Sequence, residues 1–336
     1  MPLESLSPYN TAMGKQQAQV IAVSLNPAID RGIEVPNFAI GAHQVGRQIF
    51  RRAAGKAVNL ARVLNLLKVP TAVTGFIGRG QQDYFEKTLS RENLACELFA
   101  IEGQTRENIT IVDPVSKIET HIRDRGFHVD AASLGKLRKK LGLIARKDVV
   151  VCFSGSLPEG IGIEEFIELL QICQMQGARV CVDSGGSVLR GCSPLKLFLV
   201  KPNLLELSEM LGAEIRTCEQ VLRAADILKE MVQYSLVTCG AEGGYIFGNG
   251  VNIRGHVPMD PAEVKNTVGC GDAMLGGFLA GLLTGRDVKD SYRYGLAVAS
   301  AAATSLIPAE VHAEDIQRFY DQAQIEQVKH TPAKRV

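Results

Sequence analysis

Short runs rich in Val, Ile, Leu and Phe recur along the chain, with amphipathic stretches between them. Val20–Leu25, Ala72–Phe76, Val149–Phe153, Ala178–Val182, Leu197–Val200 and Ser235–Thr238 have the composition of strands buried on both faces. Ala57–Leu67, Gln82–Arg91, Leu134–Ile144, Ile163–Gln176 and Cys218–Met231 carry apolar residues at helical spacing. Strand and helix alternating in this rhythm predict an α/β fold, a mostly parallel central sheet with helices on both faces. Late in the chain, Gly271–Leu283 and Tyr294–Leu306 are apolar or small on nearly every side, which predicts two buried helices.

Two regions break the alternation. Residues 33–50 and 108–123 hold short β-forming segments (Ile33–Val35, Gln48–Phe50, Ile109–Val112, Ile118–Ile122). They are expected to form antiparallel strands outside the main sheet, as a small β flap, or lid, over its ligand edge. Met1–Gln19 and Lys329–Val336 are expected to be flexible ends around a single 20–328 domain.

Composition narrows the functional classes. The 336 residues carry 37 Lys+Arg against 36 Asp+Glu, so the long-range field that draws a protein to nucleic acid is missing. The polar N-terminal segment has no apolar stretch of a secretory signal, and the longest apolar stretch, Leu275–Leu283, is interrupted by glycines and too short to span a bilayer. The eight cysteines include no C-x-x-C pair, and several lie inside apolar runs, so they read as small buried side chains. The expectation is a cytoplasmic enzyme or small-molecule binder, without a nucleic-acid or membrane partner.

The chemistry concentrates at Asn266–Phe278. Gly269-Cys270-Gly271-Asp272 precedes the apolar helix, so several backbone N–H groups and the positive end of its dipole would gather at one place. Such a turn suits a phosphoryl group, with Asp272 able to accept the proton of an attacking hydroxyl. A plainer role, Asp272 as a helix cap, fits the same residues. Two other glycine-rich phosphate motifs are absent: Gly55-Lys56 is followed by Ala57, not Ser or Thr, and strand one runs into Asn26-Pro27-Ala28-Ile29-Asp30 with no G-x-G-x-x-G.

From about Val20 to Ser305 the chain resembles the PfkB family of carbohydrate kinases, with its ribokinase-like fold. Within the family it is most similar to the branch of 1-phosphofructokinases and tagatose-6-phosphate kinases. The resemblance rests on seven segments in the family's order: Asn26–Asp30, Ala54–Arg62, Thr105–Asn108, Gly155–Gly160, Lys201–Glu206, Thr238–Gly244 and Asn266–Phe278. It implies ATP-dependent phosphorylation of a hexose phosphate, with ATP and Mg²⁺. Fructose 1-phosphate giving fructose 1,6-bisphosphate is the first expectation. Tagatose 6-phosphate or another family sugar is the alternative, and a non-catalytic sugar-phosphate sensor a further one.

The resemblance also implies roles. Asp272 would be the base, in the turn of Gly269, Cys270 and Gly271. Asp30, Gly55, Asn59 and Ser156 would hold the sugar, with Lys56 and Arg106 on its phosphate and Arg123 and Arg125 as secondary candidates. Lys201, Asn203, Glu206, Thr238, Gly240 and Gly243 would meet the nucleotide, with Asn203 and Glu206 acting on Mg²⁺ largely through water. Plainer readings accompany these. Asn59 could complete a helix-end hydrogen bond, Lys56 and Arg106 could be solvated charges, Asn203 and Glu206 could form a capping box, and the Thr238–Gly243 segment could be a simple turn. Ala54, Ala57, Cys270 and Lys68 depart from the family's usual small residue or glycine. A homodimer through the β lid is a further expectation, because a flap with exposed edges can pair with its copy.

Overall fold

The computed structural model describes residues 17–328. The expectation of flexible ends falls outside these residues, apart from 17–19. The strands, in chain order, are β1 (Val20–Ser24), β2 (Ala28–Glu34), β3 (Arg47–Ala54), β4 (Thr71–Gly78), β5 (Ala95–Ile101), β6 (Arg106–Asp113) and β7 (Ile118–Arg123). They continue as β8 (Val150–Ser154), β9 (Arg179–Asp183), β10 (Leu197–Val200), β11 (Val232–Thr238), β12 (Gly244–Gly248), β13 (Val251–His256) and β14 (Gln324–Gln327).

The central sheet has ten strands in the order β14-β13-β12-β11-β10-β9-β8-β1-β4-β5. From β5 to β11 all pairings are parallel; β12, β13 and β14 add an antiparallel edge. Both faces of the central strands are buried, which explains their unbroken apolar runs. Val151 and Phe153 of β8 enter the core on one face, under the 131–144, 163–175 and 218–231 helices. Val150 and Cys152 point to the other, under the helices Lys56–Leu66, Cys270–Leu283 and Val288–Ala303. The last two helices pack closely because Gly277, Gly281 and Gly295 leave room for the opposing backbone. The second begins at Val288, six residues before the apolar pattern suggested, because Asp287 caps it by accepting from the Asp290 amide at 2.7 Å. All eight cysteines are free thiols, six of them buried.

The lid is a four-stranded sheet in the order β3-β2-β6-β7. It is larger than the sequence suggested, starting at Ala28, reaching Ala54 and taking in Arg106. The pairing also corrects the all-antiparallel expectation, since β2 and β6 run parallel. Each leaves the carboxyl edge of the main sheet, β2 just after β1 and β6 just after β5, so they travel outward side by side. β3 and β7 return antiparallel to them. Asp30 consequently lies within a lid strand and not at the end of a core strand. β1 sits between β4 and β8, where the chain reverses its direction of progress across the sheet. In open α/β sheets that switch point is where ligands bind, beyond the carboxyl ends of the strands.

Candidate active site

The carboxyl ends of adjacent strands deliver polar residues to one place. β9 ends in Asp183, β10 leads into Lys201, β8 into Gly155 and Ser156, and β11 into Thr238 and Gly240. Two helix N-termini approach from the other side. The Cys270–Leu283 helix starts from Gly269, whose φ of 83° is left-handed, and a Cβ there would stand 2.6 Å from the Ala309 Cβ. Glycine is therefore demanded twice, by conformation and by space. Asp272, the third residue of the helix, is buried, and its Oδ2 accepts from Asn59 Nδ2 at 2.8 Å. The cap position belongs to Gly269, so Asp272 is not the cap. Cys270 turns its thiol toward the Asn266 carbonyl, and its N–H closes a turn onto Thr267 O at 3.3 Å. The anion turn is thus left to the amides beyond Cys270, because that N–H is already engaged.

Beside Asp272 lies a charged group that sequence reasoning missed. Asp183 is 1% exposed, with Lys56 Nζ 2.8 Å from one oxygen and Lys201 Nζ 3.4 Å from the other. Burial alone would raise its pKa, but Lys201 and Lys56 outweigh it and hold the carboxylate below its ordinary range. The signal was present, since an ionisable residue closes the apolar run Val180-Cys181-Val182. Lys56 also contacts Glu206 at 3.1 Å. Burial works against its charge, yet Asp183, Glu206 and Asp272 together raise its pKa above that of an ordinary lysine. The structure therefore pairs Lys56 with these carboxylates. Lys201 Nζ stands 2.9 Å from where a Cβ on Gly271 would lie, directly against the helix start.

Asp272 differs from Asp183 in sign. Burial, then the Asp183 charge, push its carboxyl up to about 7, against the pull of Lys56, Asn59 and Lys201. A carboxylate poised near neutrality, at a helix N-terminus and flanked by two ammonium groups, can take up a proton while anionic oxygens are balanced next to it.

Asn203 and Glu206 form a capping box: Asn203 Oδ1 accepts from the Glu206 amide at 2.8 Å, and Glu206 Oε2 from the Asn203 amide at 2.9 Å. The other Glu206 oxygen meets Lys56, so the box and a place in the charged cluster coexist. Thr238 is joined to this corner through its amide, which donates to Pro202 O at 3.0 Å. Gly240 and Gly243 bracket a one-turn 3₁₀ segment, and nothing stands within 4 Å of a Cβ built on Gly240. The turn thus presents bare backbone at Gly240, while Gly243 packs against the Gly255 carbonyl.

On the lid side, Asp30 Oδ1 accepts from Asn108 Nδ2 at 2.8 Å. Burial raises its pKa against the Asn108 bond and the charges of Arg106, Arg52 and Arg62. Arg106 donates through Nε to the Asn26 and Pro27 carbonyls, both at 3.3 Å. Burial and then Arg123 lower its pKa, while Asp30 and Asp124 oppose them. Arg106 and Arg123 therefore lie near enough to repel. Asn26 Nδ2 donates to Ser156 Oγ at 3.2 Å and to Arg125 O at 3.1 Å, tying the Ser156 turn to the lid base. Gly55 caps the Lys56–Leu66 helix, and its carbonyl accepts from the Asn59 amide at 2.9 Å, which sets Asn59 in the first turn.

The pfkB family carbohydrate kinase model matches residues 22–310, every element just described except β1's first two residues and the C-terminal edge. The chain belongs to the pfkB family of carbohydrate kinases. It is 31% identical to the 1-phosphofructokinase of Escherichia coli K12 over 290 residues, 85% of this chain and 91% of that protein. Against the 1-phosphofructokinase of Rhodobacter capsulatus the figures are 32% over 294 residues, 86% and 92%. The crystal structure of phosphofructokinase-2 from Escherichia coli in complex with potassium superposes with a TM-score of 0.84 at 23% identity, over 91% of this chain and 99% of that one. The fold is therefore ribokinase-like and the protein a sugar kinase. Kinases of this family use ATP. Among the described residues no helix is long and apolar enough to cross a membrane.

Proposed function

We propose that this pfkB kinase transfers the γ-phosphoryl of ATP to the free primary hydroxyl of fructose 1-phosphate, yielding fructose 1,6-bisphosphate. The observation that carries the reading is the buried Asp272, held near neutral pKa at a helix N-terminus, with a lid opposite that holds Asp30 and the Arg106–Arg123 pair. Relatives of about 30% identity bear the name 1-phosphofructokinase, which supports the choice of sugar phosphate.

In this reading Asp272 accepts the hydroxyl proton as the oxygen attacks. Asp30 and Asn59 orient the sugar, with Gly55 and Ser156 at its edge. Arg106 grips the phosphate the sugar already carries, since a guanidinium offers two parallel donors. Lys56 and Lys201 flank the transferred group and offset its charge, with the amides of Gly271 and Asp272. The Thr238–Gly243 turn, bare at Gly240, lies against the nucleotide.

Among the described residues no three His, Cys, Asp or Glu side chains group as a metal cage. The donors in the cluster are all oxygens, which suits Mg²⁺, a hard cation that keeps most of its waters. Asn203 and Glu206 would hold it, largely through water, where it would neutralise phosphate oxygens.

The test is ADP release across a panel of sugar phosphates. The highest kcat/KM should fall on fructose 1-phosphate, and a preference for tagatose 6-phosphate would overturn the substrate assignment. Arg106→Ala should raise KM for the sugar phosphate roughly 10–100-fold, the worth of a charged hydrogen bond, with a smaller change in kcat. An unchanged KM would remove Arg106 from the phosphate.

A homodimer through the lid belongs to the same proposal. Val115, Ile118 and Ile122 of the lid are more than half exposed, and a second copy is the partner that would cover them. Sedimentation should give a dimer, reduced to a monomer by Ile118→Glu with Ile122→Glu; a wild-type monomer would refute it.

A further inference from the structure

A groove of about 370 Å³ runs along the Lys56–Leu66 helix, outside the site just described. Its charged lining is Arg52, Arg62 and Lys68 against Glu92 and Glu310, and Asp30, Lys56, Asn59 and Asp272 take no part in it. We infer that this groove is a second ligand site, taking a small anion that carries phosphate or carboxylate groups.

The carboxylates are already engaged. Glu92 accepts from Arg62 Nε at 2.6 Å and Nη2 at 3.1 Å, and Glu310 accepts from Ser305 Oγ at 2.6 Å. The cations are less completely matched. The Arg62 side chain is only 9% exposed, yet its Nη1 is buried with no hydrogen-bond partner. A buried, unpartnered guanidinium nitrogen is costly, and because this one has almost no accessible surface, an anion in the groove would reach it only with a shift of the Arg62 side chain. Arg52 stands near enough to Arg62 for the two to repel, and burial with that repulsion pulls its pKa down to about 10. Two guanidiniums brought together with a lysine at a groove are an arrangement that an anion relieves.

Lys68 supplies an independent observation. It follows the helix with a φ of 62°, in the left-handed region where glycine is the easy residue and a side chain is strained. The chain nonetheless carries a lysine here, and the residue lines the groove. A volume of this size suits a small metabolite.

The location gives the site a consequence. Arg52 lies opposite Asp30 in the β2–β3 register, Arg62 is three residues beyond Asn59 on one helix, and Ala309, also in the lining, packs against Gly269. An anion held here would touch the back of all three elements that carry the first site. The inference does not depend on which sugar is phosphorylated there.

Isothermal titration with inorganic phosphate and, separately, citrate tests it, with the first site filled by a non-hydrolysable ATP analogue and sugar phosphate. One additional site is expected, weakened roughly tenfold in Lys68→Gly and lost in Lys68→Gly with Arg52→Gln. Lys68→Gly should fold at least as well as the parent, because glycine relaxes the φ. Binding of phosphate alone assigns a phosphate ester as the natural class, and binding of citrate alone a polycarboxylate. If neither binds, or if Lys68→Gly binds as tightly as the parent, the inference fails.

Discussion

Replacing Asp272 with Asn is expected to lower kcat by roughly 10²–10⁴-fold, the usual contribution of a general base, with little change in nucleotide affinity. The substitution keeps the shape and can still accept from Asn59 Nδ2, so the loss would report the proton acceptor and not a collapsed site. In the parent the carboxyl is pushed up to about 7, first by burial and then by Asp183, so kcat/KM should rise with pH through about 7 as the base ionises. The same shift fixes the sign of a stability effect. The unfolded chain releases this proton near 3.8 and the folded one near 7, so between those values the unfolded state binds fewer protons. Stability therefore falls as pH rises through that window, and the cost of burying the ionised group is complete above about 7. Asp272→Asn removes a cost on the order of a few kcal/mol, so the variant should melt higher than the parent at pH 8 and gain nothing near pH 4. An inactive yet more stable protein is what a buried base predicts. Near-normal turnover would take Asp272 out of the mechanism, and equal melting at pH 8 would overturn its raised pKa.

Much of the central sheet could be read from the chain because its strands are buried on both faces and its helices have a regular apolar spacing. The helices Gln82–Arg91 and Cys218–Met231 have the boundaries that the spacing predicts, and β10 coincides with its apolar run. What stayed unread depends on distant partners. β5 carries Glu97 and is only half-buried at the sheet edge, and β14 pairs with β13 across some seventy residues, so neither has a local signature. The lid was legible as β structure but not in its direction, because the β2–β6 pairing follows from where each strand leaves the main sheet. At the site, the motifs named most of the residues that the structure brings to the carboxyl edge. They did not name Asp183, whose importance comes from two lysines distant in sequence, nor the Glu206 contact of Lys56.

Asp183→Asn should be the most damaging single change to the folded site. Its carboxylate stands between two ammonium groups, Lys201 buried and Lys56 about a third exposed, and removing that charge takes the ion-pair partner from Lys201 and leaves Lys56 with Glu206 alone at contact distance. Breaking a buried ion pair in this way costs about 3–5 kcal/mol, which denaturant melts would resolve. The variant should also move the first site's pH profile. Asp183 is the second cause raising the Asp272 pKa, after burial, while Lys56 and Lys201 lower it. Without Asp183, repulsion on Asp272 falls while the pull of both lysines remains. The Asp272 pKa should therefore drop, carrying the acid limb of kcat/KM to lower pH. Lys56→Met makes the opposite prediction, since it removes a cation that now stabilises the carboxylate, and the limb should move to higher pH. The two variants shift one observable in opposite directions, so a loss of folding in either leaves the other to decide. Limbs that stay in place in both would mean that Asp183, Lys56 and Asp272 do not form one electrostatic unit.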